Sequence, residues 1–219
     1  MDKIIYNENI TNEELIKNNI VIEKSAVLGK NIKLSHGVCI LGDSVVEDNC
    51  VIENNSVVNN SKLRKGVKVL SSFIEDSEVG ELTIVGPFTN IKKNSKIGSS
   101  CRIGNFVEIK NSIVGDESKI AHLTYVGDAE MGKNCNIGCG VVFCNYNGKI
   151  KQRSQLGDNV FVGSNVNIVA PVKVESEAYI AAGSTINKDI TKGQFSIARK
   201  EQINKDNFKN PYIEKLKNK

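Results

Sequence analysis

His122 is the side chain of this sequence best suited to moving a proton near neutral pH, because imidazole titrates there without help from its surroundings. It stands in Lys119-Ile120-Ala121-His122-Leu123-Thr124-Tyr125-Val126-Gly127, two residues after an apolar Ile120. Taken alone it reads first as an ordinary surface or satisfied histidine. The functional reading is a general base whose tautomer is fixed by a carboxylate one repeat away, and Glu108 is the carboxylate at about that distance. Lone glutamates on such a surface are as a rule simply solvated. Lys92, Lys110 and Lys119 recur in successive repeats and can converge on an anion, although a solvated charged face is the commoner meaning of such lysines. His36, in Ser35-His36-Gly37, has no such company and reads as structural or exposed. Two histidines in the chain exclude a three-histidine metal centre, and with it a carbonic anhydrase, unless subunits pool them. The six cysteines, Cys39, Cys50, Cys101, Cys135, Cys139 and Cys144, form no CxxC pair and read as reduced, mostly buried thiols. No GxxxxGK[ST] or GxGxxG string is present, so a nucleotide cradle of the common kinds is absent.

The elements that hold these residues follow from a period of six. Apolar residues recur as Ile22, Leu28, Leu34, Ile40, Val46, Ile52 and Val58, again from Val79 through Val85, Ile91, Ile97 and Ile103 to Ile109, and, after slips, as Val114, Ile120, Val126, Met131, Ile137 and Phe143. A last run extends from Leu156 through Val162, Ile168, Val174 and Ile180 to Ile186. Six matches neither the period of a helix nor the alternation of a long strand. It matches short strands separated by turns, each with its central residue pointing inward. Small or β-branched residues such as Ser44, Cys50, Ser56, Thr83, Ser95, Cys101, Ser118 and Thr124 stand two positions earlier, where a tight corner needs them. Three segments close a triangle, and about 18 residues per coil stacked about 4.8 Å apart give a parallel β-helix of about nine coils.

Length and composition agree with one globular domain. Of 219 residues 40% are hydrophobic and 25% charged, with no apolar run of the roughly 18 to 20 residues that crosses a bilayer. The polar start, Met1 to Ile10, lacks the regions of a signal peptide, which points to the cytoplasm. A net charge of +4, scattered along the chain, and no Trp give no nucleic-acid footprint. Thr11-Asn12-Glu13-Glu14 reads as a capping box opening a short helix over 11–18 that covers the first coil. The stretch from Asn145 to Ser154, rich in turn formers and bases, predicts a loop standing out from the prism. The expected organisation is a cap segment at 1–21, the β-helix at 22–190 and an extended tail at 191–219.

Several strings then carry a resemblance. Gly104-Asn105-Phe106-Val107-Glu108-Ile109-Lys110, the stretch from His122 to Gly132 that reads HLTYVGDAEMG, and Cys144-Asn145-Tyr146 with Asn136-Ile137-Gly138 resemble the acetyltransferase half of the bifunctional glucosamine-1-phosphate N-acetyltransferase and N-acetylglucosamine-1-phosphate uridyltransferase family. The likeness runs from Gly86-Pro87-Phe88 to Pro211. It implies an all-β, left-handed parallel β-helix assembled as a trimer with sites between subunits. It also implies that His122 is the base acting on the amine of glucosamine 1-phosphate, oriented by Glu108. Lys92, Lys110, Tyr125 and Asn136 would hold the sugar phosphate. Cys139 through its backbone, with Asn145, Tyr146, Ser164 and Ala182, would line an acetyl-CoA groove, and Arg199 and Lys205 would meet the phosphates of the cofactor. No metal is implied for acetyl transfer. Lys92 stands where the family has arginine, a point charge in place of a planar fork, and this leaves the acceptor open. The uridyltransferase half has no counterpart in the sequence, so a separate uridyltransferase is the implied partner.

The leading expectation is therefore a trimeric, acetyl-CoA-dependent N-acetyltransferase serving UDP-N-acetylglucosamine and cell-wall precursor synthesis. Two alternatives stand beside it: transfer to another amino sugar or nucleotide sugar, and a non-catalytic β-helical module for assembly or regulation.

Overall fold

The computed structural model describes residues 11–206. Residues 1–10 of the expected cap segment and 207–219 of the expected tail, with the Pro211 end of the resemblance, lie outside the described residues. Among those described, strands of two to four residues form three sheets, and the one helix is six residues long. The first sheet stacks ten strands, from Val21–Ile22 to Thr185–Ile186, and the second stacks nine, from Val27–Leu28 to Lys173–Val174. The third stacks ten, from Lys33–Leu34 to Phe195–Ser196. Each strand pairs in parallel with the one a coil away. This is the expected left-handed parallel β-helix, in about ten coils instead of nine. No helix among the described residues is long and apolar enough to cross a membrane.

The inward file is the one the period marks. Ile40, Val46, Ile52, Val58, Ile91, Ile103, Ile109, Ile120 and Val126 are all 0% exposed. Leu28 and Leu34, in the first coil, are half-buried and pack on the core from its open end. Stacked counterparts such as Ile91, Ile109 and Val126 are register partners. Fully burying each such side chain contributes about 1.5–3 kcal/mol, and β-branched shapes suit the pleat.

The slips in the period are shortened corners. The chain stays on the prism between Val58 and Val79, with Leu63, Val69 and Ile74 facing in at 0% exposure. Steps of five residues turn at a single left-handed residue, as at Asn60, Ser71, Asp76, Asn111 and Asp128, where φ is +41° to +49°. Asn and Asp tolerate this conformation through local hydrogen bonds. Coils containing such corners are shorter: Val58 pairs with Ile74, 16 residues on, and Ile74 with Ile91, 17 on. An assumed 18 residues per coil therefore undercounts the coils.

The small corner residues do more than fit. Ser44 Oγ accepts the Ser61 N–H at 3.2 Å, Ser61 Oγ the Ser77 N–H at 3.1 Å, and Ser77 Oγ the Ser95 N–H at 3.2 Å. The hydroxyls thus pair corner amides that the sheets leave over, which buried backbone requires. Thr11 caps Asn12–Lys17 in a full capping box with Glu14, and Leu15 joins the core cluster. All six cysteines are free; Cys50, Cys101 and Cys135 are buried. Burial pushes the Cys50 and Cys101 thiols up to about 11.

Candidate active site

The corner joining the third sheet to the first carries one continuous backbone file. Phe106 N–H donates to Phe88 O at 3.1 Å, Leu123 N–H to Asn105 O at 2.9 Å, and Gly140 N–H to Leu123 O at 3.1 Å. Below them Asn165 N–H donates to Cys139 O and Gly183 N–H to Ser164 O, both at 2.8 Å, and the Arg199 guanidinium reaches Ala182 O at 2.8 Å. His122, Cys139, Ser164, Ala182 and Arg199 therefore occupy one line over four coil spacings, about 19 Å. The His122, Ser164, Ala182 and Arg199 residues are exposed and Cys139 is half-buried. The coils approach closely here, since a Cβ on Gly138 would stand 2.5 Å from Ser164 N and one on Gly163 2.4 Å from Ala182 N. The N–H groups of Cys139, Ser164 and Ala182 have no partner among the described residues. They are backbone donors open to a ligand.

Beside this corner, the outer face of the first sheet collects the sugar-phosphate candidates. Asn90, Glu108 and Tyr125 are register partners in one column, and Lys92, Lys110 and Gly127 in the next. Lys92 Nζ pairs with Glu108 Oε1 at 3.0 Å. The register sets Asn105 beside His122 and Glu108 beside Tyr125, so within one chain the carboxylate meant to orient His122 engages Lys92. Lys119 sits on the third sheet, between Arg102 and Asn136 in register, and does not join the lysines of the first sheet. Asn136 is half-buried and is followed in register by Phe161. His36 is exposed, as is Lys205, six residues beyond Arg199.

The expected protruding loop leaves the prism after Val142–Cys144 and returns at Ser154–Leu156, with an antiparallel bridge between Tyr146 and Lys151. Tyr146 is 59% exposed, whereas Asn145 is 8% exposed. The Asn145 amide donates to Asp128 Oδ2 at 2.5 Å and to Tyr125 Oη at 3.4 Å. Asp128, itself buried, also accepts the Asn111 amide on Oδ1. Arg153 closes the loop by donating to Asn111 O at 3.0 Å. So pinned, the loop returns Lys151 to Lys110. The adjacent Lys151 amine holds the Lys110 ammonium below the usual lysine range, with partial desolvation and the charges of Lys151 and Lys93 adding to the effect and Asp128 opposing it. A cluster of like charges of this kind is an anion site in waiting.

Residue types alone did not reveal Lys151, Asp128 or the open amides. Lys151 lies 41 positions from Lys110, and only the turn at Asn147 to Ile150 brings it back. The one signal available was the excess of bases in the loop. Among the described residues no group of three or more His, Cys, Asp or Glu could hold a metal ion.

Comparison with known proteins agrees with this geometry. Residues 153–188 match the family model described as bacterial transferase hexapeptide (six repeats). The chain is 54% identical over 143 residues to the bifunctional protein GlmU of Clostridium botulinum (strain Kyoto / Type A2), covering 65% of this chain and 31% of that protein. It is 55% identical over 139 residues to the bifunctional protein GlmU of Clostridium novyi (strain NT), covering 64% and 30%. The chain thus spans about a third of the length of the curated relatives it matches. Among solved structures, a UDP-N-acetylglucosamine acyltransferase superposes with a TM-score of 0.60 at 19% identity, covering 81% of this chain and 68% of that one; this likeness is one of fold. The resemblance drawn from the motifs is shown by these identities.

Proposed function

We propose that this hexapeptide-repeat chain is an acetyl-CoA-dependent N-acetyltransferase whose acceptor is an amino-sugar phosphate, most simply glucosamine 1-phosphate, working as a homotrimer. The observation that carries the reading is the single line from His122 to Arg199. It sets an exposed imidazole, open backbone amides and a cation along the length that an extended thioester-bearing arm requires, beside a lysine cluster.

The chemistry follows from these groups. The lysines Lys92, Lys110 and Lys151 neutralise a phosphate on the first-sheet face, and Tyr125 and Asn136 bound the sugar on either side of the corner. His122 takes a proton from the amine as its nitrogen attacks the thioester carbonyl. The Cys139 N–H is positioned to meet the oxygen as it becomes negative. Collapse breaks the carbon–sulfur bond, and the imidazolium returns its proton to the departing thiolate. Holding both substrates on one rigid corner supplies the proximity term. Arg199 and Lys205 are the cations for the far end of the thioester carrier, and Tyr146, whose hydroxyl donates to Gly148 O within its own loop, presents an exposed ring to a neighbouring copy. Asn145, by contrast, is committed to Asp128 within its own chain, so its part is to hold that loop. Glu108 serves His122 once phosphate draws Lys92 away.

The product, an N-acetylated sugar phosphate, calls for a uridyltransferase to make UDP-N-acetylglucosamine for the cell wall, and the cytoplasm supplies both substrates. A second reading, transfer to another amino sugar or a nucleotide sugar, rests on Lys92 in place of the family arginine. A purely structural module is disfavoured by an exposed histidine, His122, standing in line with the open amides of Cys139, Ser164 and Ala182. The test is release of free thiol from acetyl-CoA with a panel of amino sugars, beside His122→Ala. Thiol release that depends on glucosamine 1-phosphate and falls about 10²–10⁴-fold in the variant is expected. Sugar-independent release, or an undiminished variant, overturns the reading.

A further inference from the structure

Three aromatic rings stand in a column on the outer face of the third sheet, where the chemistry above does not use them. Phe161, Tyr179 and Phe195 are register partners in successive coils. Their centroids are 4.5 and 5.7 Å apart, with interplanar angles of 15° and 28°. Exposure rises down the column, from 37% to 46% to 62%. Phe195 belongs to the last described strand of its sheet, so no further described strand covers its outer face, and no other described ring stacks on it. Among the described residues the ladder therefore ends in an open aromatic face.

This end lies beside the terminus of the corner file. Ser164 follows Phe161 by three residues, Ala182 follows Tyr179 by three, and Arg199 follows Phe195 by four, a separation of about 10–14 Å along extended backbone. One guanidinium nitrogen of Arg199 is anchored on Ala182 O, which leaves its other donors for an anion, and Lys200 follows it.

We propose that the open face of Phe195 is the stacking platform for the adenine of the acetyl donor, so that the base becomes the fourth ring of the ladder. The inference rests on the acetyl-CoA reading above. With the thioester at His122 and the arm along Cys139, Ser164 and Ala182, the nucleotide end reaches the last coils, where its phosphates meet Arg199. A purine there finds a flat apolar surface already fixed by two rings behind it. Stacking on such a surface strengthens binding by about tenfold or more per base, and a preformed ladder loses little side-chain freedom when the base arrives.

The chain contains no Trp, so Phe195→Trp supplies a single indole emitter at the platform. Its emission is expected to be quenched by 3′,5′-ADP without any sugar present, and by CoA, but not by pantetheine. In Phe195→Ser the concentration of acetyl-CoA needed for half-maximal rate rises about tenfold, while that of acetyl-pantetheine, which lacks the nucleotide, does not change. Indole emission unmoved by saturating CoA overturns the proposal, because no base then stacks on the face. An equal rise for both donors in Phe195→Ser overturns it as well. Quenching by 3′,5′-ADP in a protein that acetylates no amino sugar upholds the platform while removing the reading of the reaction.

Discussion

Two corners of the same prism close in the same way and end differently. At several turns from the second sheet into the third, glycine precedes a residue whose N–H is taken by a side chain of the next coil, whereas Glu81 N–H after Gly80 and Asp116 N–H after Gly115 have no partner among the described residues. Ser99 N–H, after Gly98, donates to Asp116 Oδ1 at 2.7 Å, and Lys133 N–H, after Gly132, donates to Asp158 Oδ1 at 2.9 Å. Where the third sheet turns into the first, Cys139 follows Gly138 and Ser164 follows Gly163 with the same close approach of coils. The residues below are Ser164 and Ala182, and neither amide is capped. The first corner is finished wherever an aspartate lies one coil below. The second leaves Cys139, Ser164 and Ala182 open in succession, and the exposed His122 sits on that corner.

The sharpest way to break this comparison is to finish the open corner. Ser164→Asp offers Cys139 N–H the carboxylate that Asp116 and Asp158 offer elsewhere. Losing one backbone donor to a developing oxyanion costs about 10²–10³ in kcat, so sugar-dependent thiol release is expected to fall by that order while thermal stability is kept or rises. A variant as active as the parent would show that the open amides are incidental.

Next in size is the lysine cluster. Lys151→Met should raise the KM for the sugar phosphate about tenfold and leave that for acetyl-CoA unchanged, since one charge-assisted hydrogen bond is worth about 1.5–3 kcal/mol. The proton balance sharpens it. Crowding lowers the folded pKa of Lys110 below its unfolded value, so the unfolded chain holds that proton to higher pH. Stability therefore rises with pH between the lowered and the ordinary lysine value. A bound phosphate restores the proton. Calorimetric titration in two alkaline buffers of different ionisation enthalpy should detect proton uptake on binding, reduced in Lys151→Met. Uptake unchanged in the variant would separate Lys110 from Lys151.

Smaller effects belong to the finished corner. Asp158→Ala removes an exposed cap and is expected to cost about 1 kcal/mol, a fall in Tm of about 2–4 °C, with kcat preserved. A loss of activity to match Ser164→Asp would erase the distinction between the corners. Smallest of all, Cys50, Cys101 and Cys135, raised by burial, should resist alkylation until the prism unfolds, as mass spectrometry of the native and denatured protein would register.

The period of six identified the inward residues from Ile40 to Ile186, and the capping box at Thr11 identified the helix, because each is set by neighbours a few residues away. Leu63, Val69 and Ile74 escaped a six-residue count, since Asn60, Ser71 and Asp76 shorten their corners by one residue and nothing local announces it. Lys119, expected one repeat on from Lys110, follows it by only nine residues, about half a coil, and so lies on another face. The Cys139 and Ser164 amides were legible in part, as members of strings that resemble a known family. Their being open was not, because it depends on which side chains lie one coil below.

The sequence by itself determined a three-sided parallel coil with β-branched residues inside, a histidine at a corner and a basic loop, since all of these follow from residue type at short spacing. Tertiary structure decided that Lys92 engages Glu108, that Lys151 meets Lys110 across an Asp128 anchor, and that the Cys139 and Ser164 amides stay unpaired in line with His122. Those outcomes join residues 16 to 41 positions apart. The register that joins them is set by the shortened corners and, for Lys151 and Ser164, by the loop inserted after Cys144, a quantity that no local window of sequence contains.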